Sequence, residues 1–155
     1  MKKYVVVLVA LIFSVTLINA QTSSNLLETN RAFMGAVAKK KSYHAIYQLD
    51  TNDPKIIDKA IHNINNALSD QRLIGKLQIE LVTLSGGTEA VMIGSKFEKD
   101  LKELIEKGVI LVQCNNSLMQ RKLTREQIYD FMAVVPSGNG ELIIRQAEGW
   151  AIIKP

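Results

Sequence analysis

One cysteine is the residue of this chain whose type and placement could carry chemistry. Cys114 ends an apolar run that begins at Val109, and the polar residues Asn115, Asn116 and Ser117 follow it. A thiol beside a helix start is favoured as a thiolate, because the helix dipole and the first backbone N–H groups stabilise negative charge. This effect is typically about 0.3–1 kcal/mol at an exposed helix end, so strong activation needs further groups.

The same cysteine also has a purely structural interpretation. Free cysteine is among the residue types most often buried, and a small apolar side chain at a strand end is ordinary. Because Cys114 is the only cysteine, it cannot form an internal disulfide, and a Cys-X-X-Cys pair or a cysteine-rich zinc site is excluded. A packed thiol, an intermolecular disulfide and a reactive thiol are all open on position alone.

Other catalytic patterns are absent from the sequence. It contains neither a GxSxG nucleophile elbow nor a GxGxxG dinucleotide loop. The two histidines, His44 and His62, are too few for a histidine-rich metal site. The sequence therefore predicts no metal and no cofactor, it does not match a hydrolase or a dehydrogenase, and whether the protein is an enzyme stays open.

A weaker candidate site is the glycine-containing segment Ser85, Gly86 and Gly87. Glycines between a strand and a helix can let backbone N–H groups approach an anion. Since no phosphate-loop lysine accompanies them, a tight turn is the simpler interpretation of this candidate anion loop.

The first twenty residues have the pattern of a secretory signal peptide. Two lysines precede an apolar run from Tyr4 to Leu17, and cleavage is predicted between Ala20 and Gln21. The run is shorter than the roughly 20 residues of a membrane-spanning helix. Cleavage is therefore favoured over an anchor, no stable membrane span is expected afterwards, and the protein is predicted to be exported, either periplasmic or secreted.

The length and net charge of the chain after signal-peptide cleavage limit its possible size and partners. Removing 20 of the 155 residues leaves 135, which suits one domain. The formal net charge of +4 falls to +2 with the loss of Lys2 and Lys3. A charge this small, without a dense basic patch, argues against a nucleic-acid partner.

Five short segments have the composition of β-strands, with branched or aromatic residues bounded by turn residues. They are Tyr43–Leu49, Lys76–Leu84, Val109–Gln113, Ala133–Val135 and Trp150–Ile153. In the second segment, apolar residues alternate with Gln78 and Glu80, which predicts that one face of its first part meets solvent. The third is apolar almost to its end, as is typical of a strand covered on both faces.

Helical patterns separate each strand from the next. Asp53 and Pro54 form a favourable helix start, and apolar residues continue at helical spacing to about Ser69. Capping boxes are predicted at Ser95–Glu98 and Thr124–Gln127, the second opening a short helix through Tyr129 or Phe131. Further helical segments are predicted at 88–93, after the bend 115–117, and at 141–148 beyond a loop at 136–140.

Strands that alternate with helices predict a three-layer α/β/α sandwich around a mainly parallel five-stranded sheet. In an open parallel sheet, binding and catalytic sites collect at the carboxyl ends of the strands. The predicted elements place Cys114 at such an end. The strand order is not determined by these patterns.

Residues 43–155 resemble the DsrE-like family, which includes relatives of DsrE, DsrF, YchN and TusD. The resemblance lies in the segments YHAIYQLDTNDPKIIDKAIHNINNAL, LQIELVTLSGG, GVILVQCNNSLMQRKLT and VVPSGNGELIIRQAEGWAIIKP. The chain is accordingly divided into a signal peptide (1–20), a lead-in (21–42) and a DsrE-like domain (43–155).

The resemblance implies a single α/β/α domain that assembles into homo- or hetero-oligomers, often trimers or hexamers. In the sulfur-relay members a cysteine after the third strand carries sulfur as a persulfide, and Cys114 occupies the matching position. The implied partners are further copies of the chain and a sulfur donor or acceptor protein. Those relay members work in the cytoplasm, whereas this chain has a predicted export signal.

Two functions are therefore open. In the first, an exported protein accepts or relays sulfane sulfur as a persulfide on Cys114. In the second, the protein is a non-catalytic oligomeric binding or assembly module, and Cys114 only packs.

Overall fold

The computed structural model of the chain describes residues 25–155. The predicted signal peptide and the cleavage site between Ala20 and Gln21 lie outside the described residues, so export stays a prediction. Residues 38–155 form one compact unit, and residues 25–37, which are helical from 25 to 31, belong to a separate unit. Among the described residues, no helix is long and apolar enough to cross a membrane.

A five-stranded parallel sheet organises the compact unit. Its strands are β1 (Tyr43–Leu49), β2 (Leu77–Thr83), β3 (Ile110–Cys114), β4 (Ala133–Val135) and β5 (Ala151–Ile153). They lie in the order β4-β3-β2-β1-β5, and all four pairings are parallel. The mainly parallel sheet predicted from sequence is confirmed, and its carboxyl ends share one edge.

Helices cover both faces of the sheet. Within the described part, the elements that connect the strands are α1 (Pro54–Ser69), the 3₁₀ helix η1 (Ser85–Val91), α2 (Glu98–Glu106), α3 (Asn115–Gln120), the 3₁₀ helix η2 (Arg125–Gln127) and α4 (Gly138–Ala147). The larger core cluster joins one sheet face to α1 and α2, through residues such as Ile57 and Leu101. The smaller cluster joins the other face to α4 through Leu142. The predicted α/β/α sandwich is therefore confirmed.

Two of the predicted helix starts are confirmed by their caps. The Asp53 carboxylate accepts a hydrogen bond from the Lys55 backbone N–H at 2.9 Å, and Pro54 takes the first helical position of α1. The capping box of Thr124 and Gln127 is also present. It opens only the single turn of η2, so the predicted helix through Tyr129 or Phe131 is wrong.

The predicted capping box at Ser95 is wrong. Helix α2 begins at Glu98 after Phe97, which makes no side-chain capping hydrogen bond. The Ser95 hydroxyl donates to the Ala90 carbonyl oxygen at 2.7 Å, and its oxygen accepts a hydrogen bond from the Phe97 N–H at 3.3 Å. The side chain therefore connects η1 to the residue before α2 and does not form the predicted pairing with Glu98.

Two further helices begin earlier than the sequence suggests. Helix α3 starts at Asn115, where a bend was predicted. Helix α4 starts at Gly138, inside the predicted loop 136–140, because Ser137 caps it by accepting a hydrogen bond from the Gly140 N–H at 3.1 Å. The 3₁₀ helix η1 likewise starts at Ser85, whereas a turn was predicted from residue 88.

The expected solvent exposure of the first part of β2 holds for Gln78 but not for Glu80. Gln78 is exposed, but Glu80 is fully buried. Its Oε2 lies 2.7 Å from Nη2 of Arg145 on α4. The alternation of β2 was therefore misinterpreted at Glu80, because a cation from a distant helix allows this carboxylate to be buried.

Candidate functional site

Cys114 lies where β3 ends and α3 begins. It is the last residue of β3 and the N-cap of α3, and 5% of its surface is exposed. Its side chain packs in the smaller core cluster with Val82, Leu84 and Val112. The thiol therefore packs on apolar side chains at the carboxyl edge of the sheet, the position predicted for it from the sequence.

A second helix also begins beside this thiol. In the parallel pairing of β3 and β4, Cys114 is opposite Val135, so the chain enters α4 next to the cysteine. A Cβ atom placed on Gly138 would lie 3.2 Å from both Cys114 Cβ and Leu84 Cβ. The absence of a side chain at Gly138 lets the first turn of α4 approach the cysteine closely.

The surroundings of Cys114 favour its thiolate. Burial raises the pKa of Cys114, but the Ser117 side chain and the backbone N–H groups of Gly138, Ser117 and Asn116 lower it, and the net pKa lies below its ordinary value of 9.0. Cys114 closes no capping hydrogen bond through its side chain. The donors therefore act by stabilising charge at the sulfur.

The backbone N–H groups of residues 115–117 were predicted to stabilise the Cys114 thiolate, and a side chain also contributes. Asn116 and Ser117 contribute N–H groups that lower the pKa of Cys114. Ser117 adds its hydroxyl. This hydroxyl is buried and accepts a hydrogen bond from the Ser85 N–H at 2.8 Å. Ser117 thereby connects the start of η1 to the cysteine, a role that the sequence pattern did not indicate.

The candidate anion loop has no free donors in its backbone. The Ser85 N–H donates to Ser117, the Gly86 N–H donates to the Asp50 carbonyl oxygen at 3.2 Å, and the Gly87 N–H donates to the Leu84 carbonyl oxygen at 2.8 Å. Because all three N–H groups are satisfied within the protein, the geometry does not support anion binding by this loop. The segment supports the cysteine site from the neighbouring strand instead.

Close packing explains the two glycines of this loop. A Cβ on Gly86 would lie 2.8 Å from the backbone nitrogen of Asn52, and a Cβ on Gly87 would lie 2.0 Å from the carbonyl oxygen of Leu49. The backbone that leaves β1 occupies the space that a side chain would need. The tight-turn interpretation therefore accounts for both glycines.

A buried polar network holds the backbone of Cys114 from the other side of the sheet. Gln113 Nε2 donates to the Cys114 carbonyl oxygen at 2.9 Å and to Thr88 Oγ1 at 3.0 Å. The Thr83 hydroxyl lies 2.7 Å from Gln113 Oε1. Buried polar groups are costly unless they are hydrogen-bonded, so this satisfied network specifies how β3 ends against η1. Polar residues at the ends of two apolar strands were the available sequence signal.

The histidines lie away from the thiol. His44 is the second residue of β1, at the amino end of the sheet, and its ring lies 5.0 Å from that of Trp150 between centroids. His62 is an exposed residue of α1. Over residues 25–155, no group of three or more His, Cys, Asp or Glu side chains could hold a metal ion. The titratable side chain that the described geometry places at this end of β3 is the Cys114 thiol.

Comparisons with known proteins bear on the fold and the family. The model of the DsrE/DsrF-like family matches residues 55–155. No curated protein shows significant similarity to the chain. A protein of unknown function from Methanobacterium thermoautotrophicum, MTH1491, is 30% identical with a TM-score of 0.69, over 74% of this chain and 100% of its own.

A second solved structure shows the same fold at lower identity. A conserved protein of unknown function from Bacteroides thetaiotaomicron, BT1422, is 10% identical with a TM-score of 0.61. The alignment covers 78% of this chain and 100% of that protein. At this identity the likeness concerns the fold alone.

Proposed function

This chain belongs to the DsrE/DsrF-like family, and from that premise we propose that it accepts sulfane sulfur on Cys114 as a persulfide. The observation that carries the proposal is the lowered pKa of a solitary thiol placed beside the starts of α3 and α4. Since the thiolate is the nucleophile in sulfur exchange, a lowered pKa increases the reactive fraction at neutral pH.

The proposed step transfers one sulfur atom. The Cys114 thiolate attacks the outer sulfur of a donor persulfide, R–S–SH. A bond forms between Sγ and that sulfur, the S–S bond of the donor breaks, and R–S⁻ leaves with the electron pair. The product is Cys114–S–SH, whose proton comes from the donor, and no additional oxidant or reductant is needed.

The surroundings of Cys114 suit the product as well as the reactant. The N–H groups of Gly138, Ser117 and Asn116, which lower the pKa of the thiol, would equally stabilise a persulfide anion. In this proposal a donor protein delivers the sulfur and an acceptor protein removes it.

Sulfur loading can be tested by mass spectrometry of the intact protein. After exposure to a low-molecular-weight persulfide, the wild type is expected to gain about 32 Da, the mass of one sulfur atom, on Cys114. A thiol reductant should reverse the gain. The matched Cys114→Ser variant should gain nothing, because a hydroxyl does not accept sulfane sulfur. A wild-type protein that stays unmodified, with a thiol unreactive at neutral pH, would overturn the proposal.

Exposed apolar side chains favour a second function, in assembly. Ile143 and Ile144, adjacent on α4, are 68% and 55% exposed. Exposed apolar surface of this kind commonly marks an interface. We propose that copies of the chain associate through it into a trimer or a hexamer. As a pure assembly module, the protein would use Cys114 only for packing.

Light scattering tests the assembly. The wild type is expected to have three or six times the mass of one chain, and Ile143→Glu is expected to lower that mass, because a carboxylate would be buried without a partner. Ile93→Glu is the matched control, since Ile93 is 62% exposed and lies outside α4 and β4. A wild type of monomeric mass would contradict this proposal.

A further inference from the structure

Ser85 has a backbone conformation that a serine rarely adopts. Its φ is +48°, in the left-handed region where Cβ crowds the backbone of every residue except glycine. Such a conformation persists only where the surroundings hold it, and it is a reason to look for function nearby. Glycine adopts a positive φ without strain, but in this turn the positive φ lies at Ser85 and not at the adjacent Gly86.

Helix α3 and its C-cap hold Ser85 on both sides. The Ser85 N–H donates to Ser117 Oγ at 2.8 Å, and the Ser85 carbonyl oxygen accepts from Arg121 Nη1 at 3.3 Å. Arg121, the C-cap of α3, is itself paired with the Glu89 carboxylate of η1. The strained residue is thus attached to both ends of the short helix that begins at Cys114.

The contact with Ser85 restricts the hydroxyl of Ser117. That hydroxyl has one proton, and its oxygen already accepts the Ser85 N–H. The proton is therefore directed away from Ser85. Ser117 is 5% exposed, so solvent offers little competition as an acceptor. It lies three residues after Cys114, the N-cap of α3, and among the groups that lower the pKa of Cys114 its side chain has the largest effect.

We propose that Ser85, held by Arg121, orients the Ser117 hydroxyl so that its proton faces the Cys114 sulfur and stabilises the thiolate. In this arrangement Ser117 contacts the reacting atom, and Ser85 and Arg121 are positioning residues that act through it. The proposal rests on the proposed function of Cys114. It assigns a role to the strained turn at Ser85 that anion binding does not explain.

Alkylation of Cys114 as a function of pH tests the arrangement without any sulfur donor. Because the chain has one cysteine, the rate of modification by iodoacetamide reports only on this thiol. Ser117→Ala is expected to raise the measured pKa of Cys114 by about one unit, which is about tenfold less thiolate at a pH below both values. Ser69→Ala is the matched control, since its hydroxyl bonds to Asn65 in an exposed part of α1.

A second variant keeps the test decisive if Ser117→Ala does not fold. Arg121→Gln leaves Ser117 in place and is expected to raise the pKa in the same direction by a smaller amount. The rise should persist in high salt, because positioning by hydrogen bonds is not screened, whereas a direct effect of the arginine charge would fade.

The outcomes separate this inference from the proposed function. A Ser117→Ala protein with the wild-type pKa would overturn the inference, and so would an Arg121→Gln shift that disappears in high salt. Neither result depends on sulfur loading. A wild type that fails to gain sulfur, yet shows the expected pKa rise in Ser117→Ala, would overturn the sulfur function and leave the positioning role standing.

Discussion

Replacing Gly87 with alanine is expected to lower the free energy of unfolding by about 3 kcal/mol or more, at or beyond the upper end of the usual cost of overpacking. The new Cβ would lie 2.0 Å from the Leu49 carbonyl oxygen and 2.7 Å from its carbonyl carbon. Both are backbone atoms at the end of β1, so no side-chain rotation relieves the collision. Strand β1 has neighbours on both sides, and its movement would disturb two pairings. Urea denaturation of the variant and the wild type measures the difference.

The matched control for this prediction is Gly108→Ala. Gly108 has a φ of +85°, and a Cβ there would meet no atom within 4 Å. The change should cost only the backbone strain of an alanine in the left-handed region, roughly 1–2 kcal/mol. Equal losses in the two variants would show that the loop after β2 moves aside freely, contrary to the close packing of Gly87 on β1.

The parts of the fold that could be predicted are those governed by local patterns. The strand from Tyr43 to Leu49 was identified by its branched and aromatic residues, and its bounds match β1. Asp53 and Pro54 act within a few residues of each other, so the start of α1 was accessible from sequence. These signals are encoded by neighbours along the chain, which is why they survive without knowledge of the tertiary structure.

The errors arose where contacts outside the predicted element decide the outcome. Glu80 was assigned to a solvent face because its neighbours alternate, but Arg145, 65 residues away, neutralises it inside the protein. Ser95 has the spacing of a capping box, yet its hydroxyl bonds to Ala90. The strand order, which the sequence left undetermined, likewise depends on contacts far apart in the chain, since it is set by which connections cross the sheet.

The candidate site divides in the same way. The placement of Cys114 at the carboxyl end of a strand follows from local patterns and from the rule for parallel sheets. The close approach of Gly138 to Cys114 does not follow from local patterns. The segment 136–140 has the composition of a loop, and β4, which leads into it, pairs with β3 through a contact between separate parts of the chain. The restraint of Ser117 by Ser85 also joins residues 32 positions apart.

Arg145→Met is expected to lower the free energy of unfolding at neutral pH by about 3–5 kcal/mol, the usual cost of removing one partner of a buried ion pair. Glu80 is fully buried, and its Oε1 has no hydrogen-bond partner among the described residues. Its Oε2 lies 2.8 Å from Arg145 Nε and 2.7 Å from Nη2. Methionine keeps an apolar stem near Trp150 while removing the cation. Chemical denaturation at pH 7 provides the measurement.

The pH dependence of the free energy of unfolding reports on the Glu80 carboxyl itself. Burial raises the pKa of Glu80 above its ordinary value of 4.5, Arg145 opposes this, and Glu141 and Glu148 add to the rise. Because the folded state holds the proton more tightly, the stability contributed by Glu80 is present below about pH 4.5 and is lost as the pH rises through the raised value. Glu80→Gln should remove this slope.

A double variant separates charge from packing at this ion pair. If a stranded carboxylate causes the loss in Arg145→Met, then adding Glu80→Gln should restore most of the stability at neutral pH, because a neutral amide avoids the cost of a buried charge. If the double variant is no more stable than Arg145→Met, the loss comes from packing of the arginine stem on Trp150, whose ring centre lies 4.3 Å from the guanidinium carbon. Restored stability would indicate that the main role of Arg145 is to neutralise Glu80. Arg145 lies near the end of α4, the helix whose start at Gly138 lies beside Cys114.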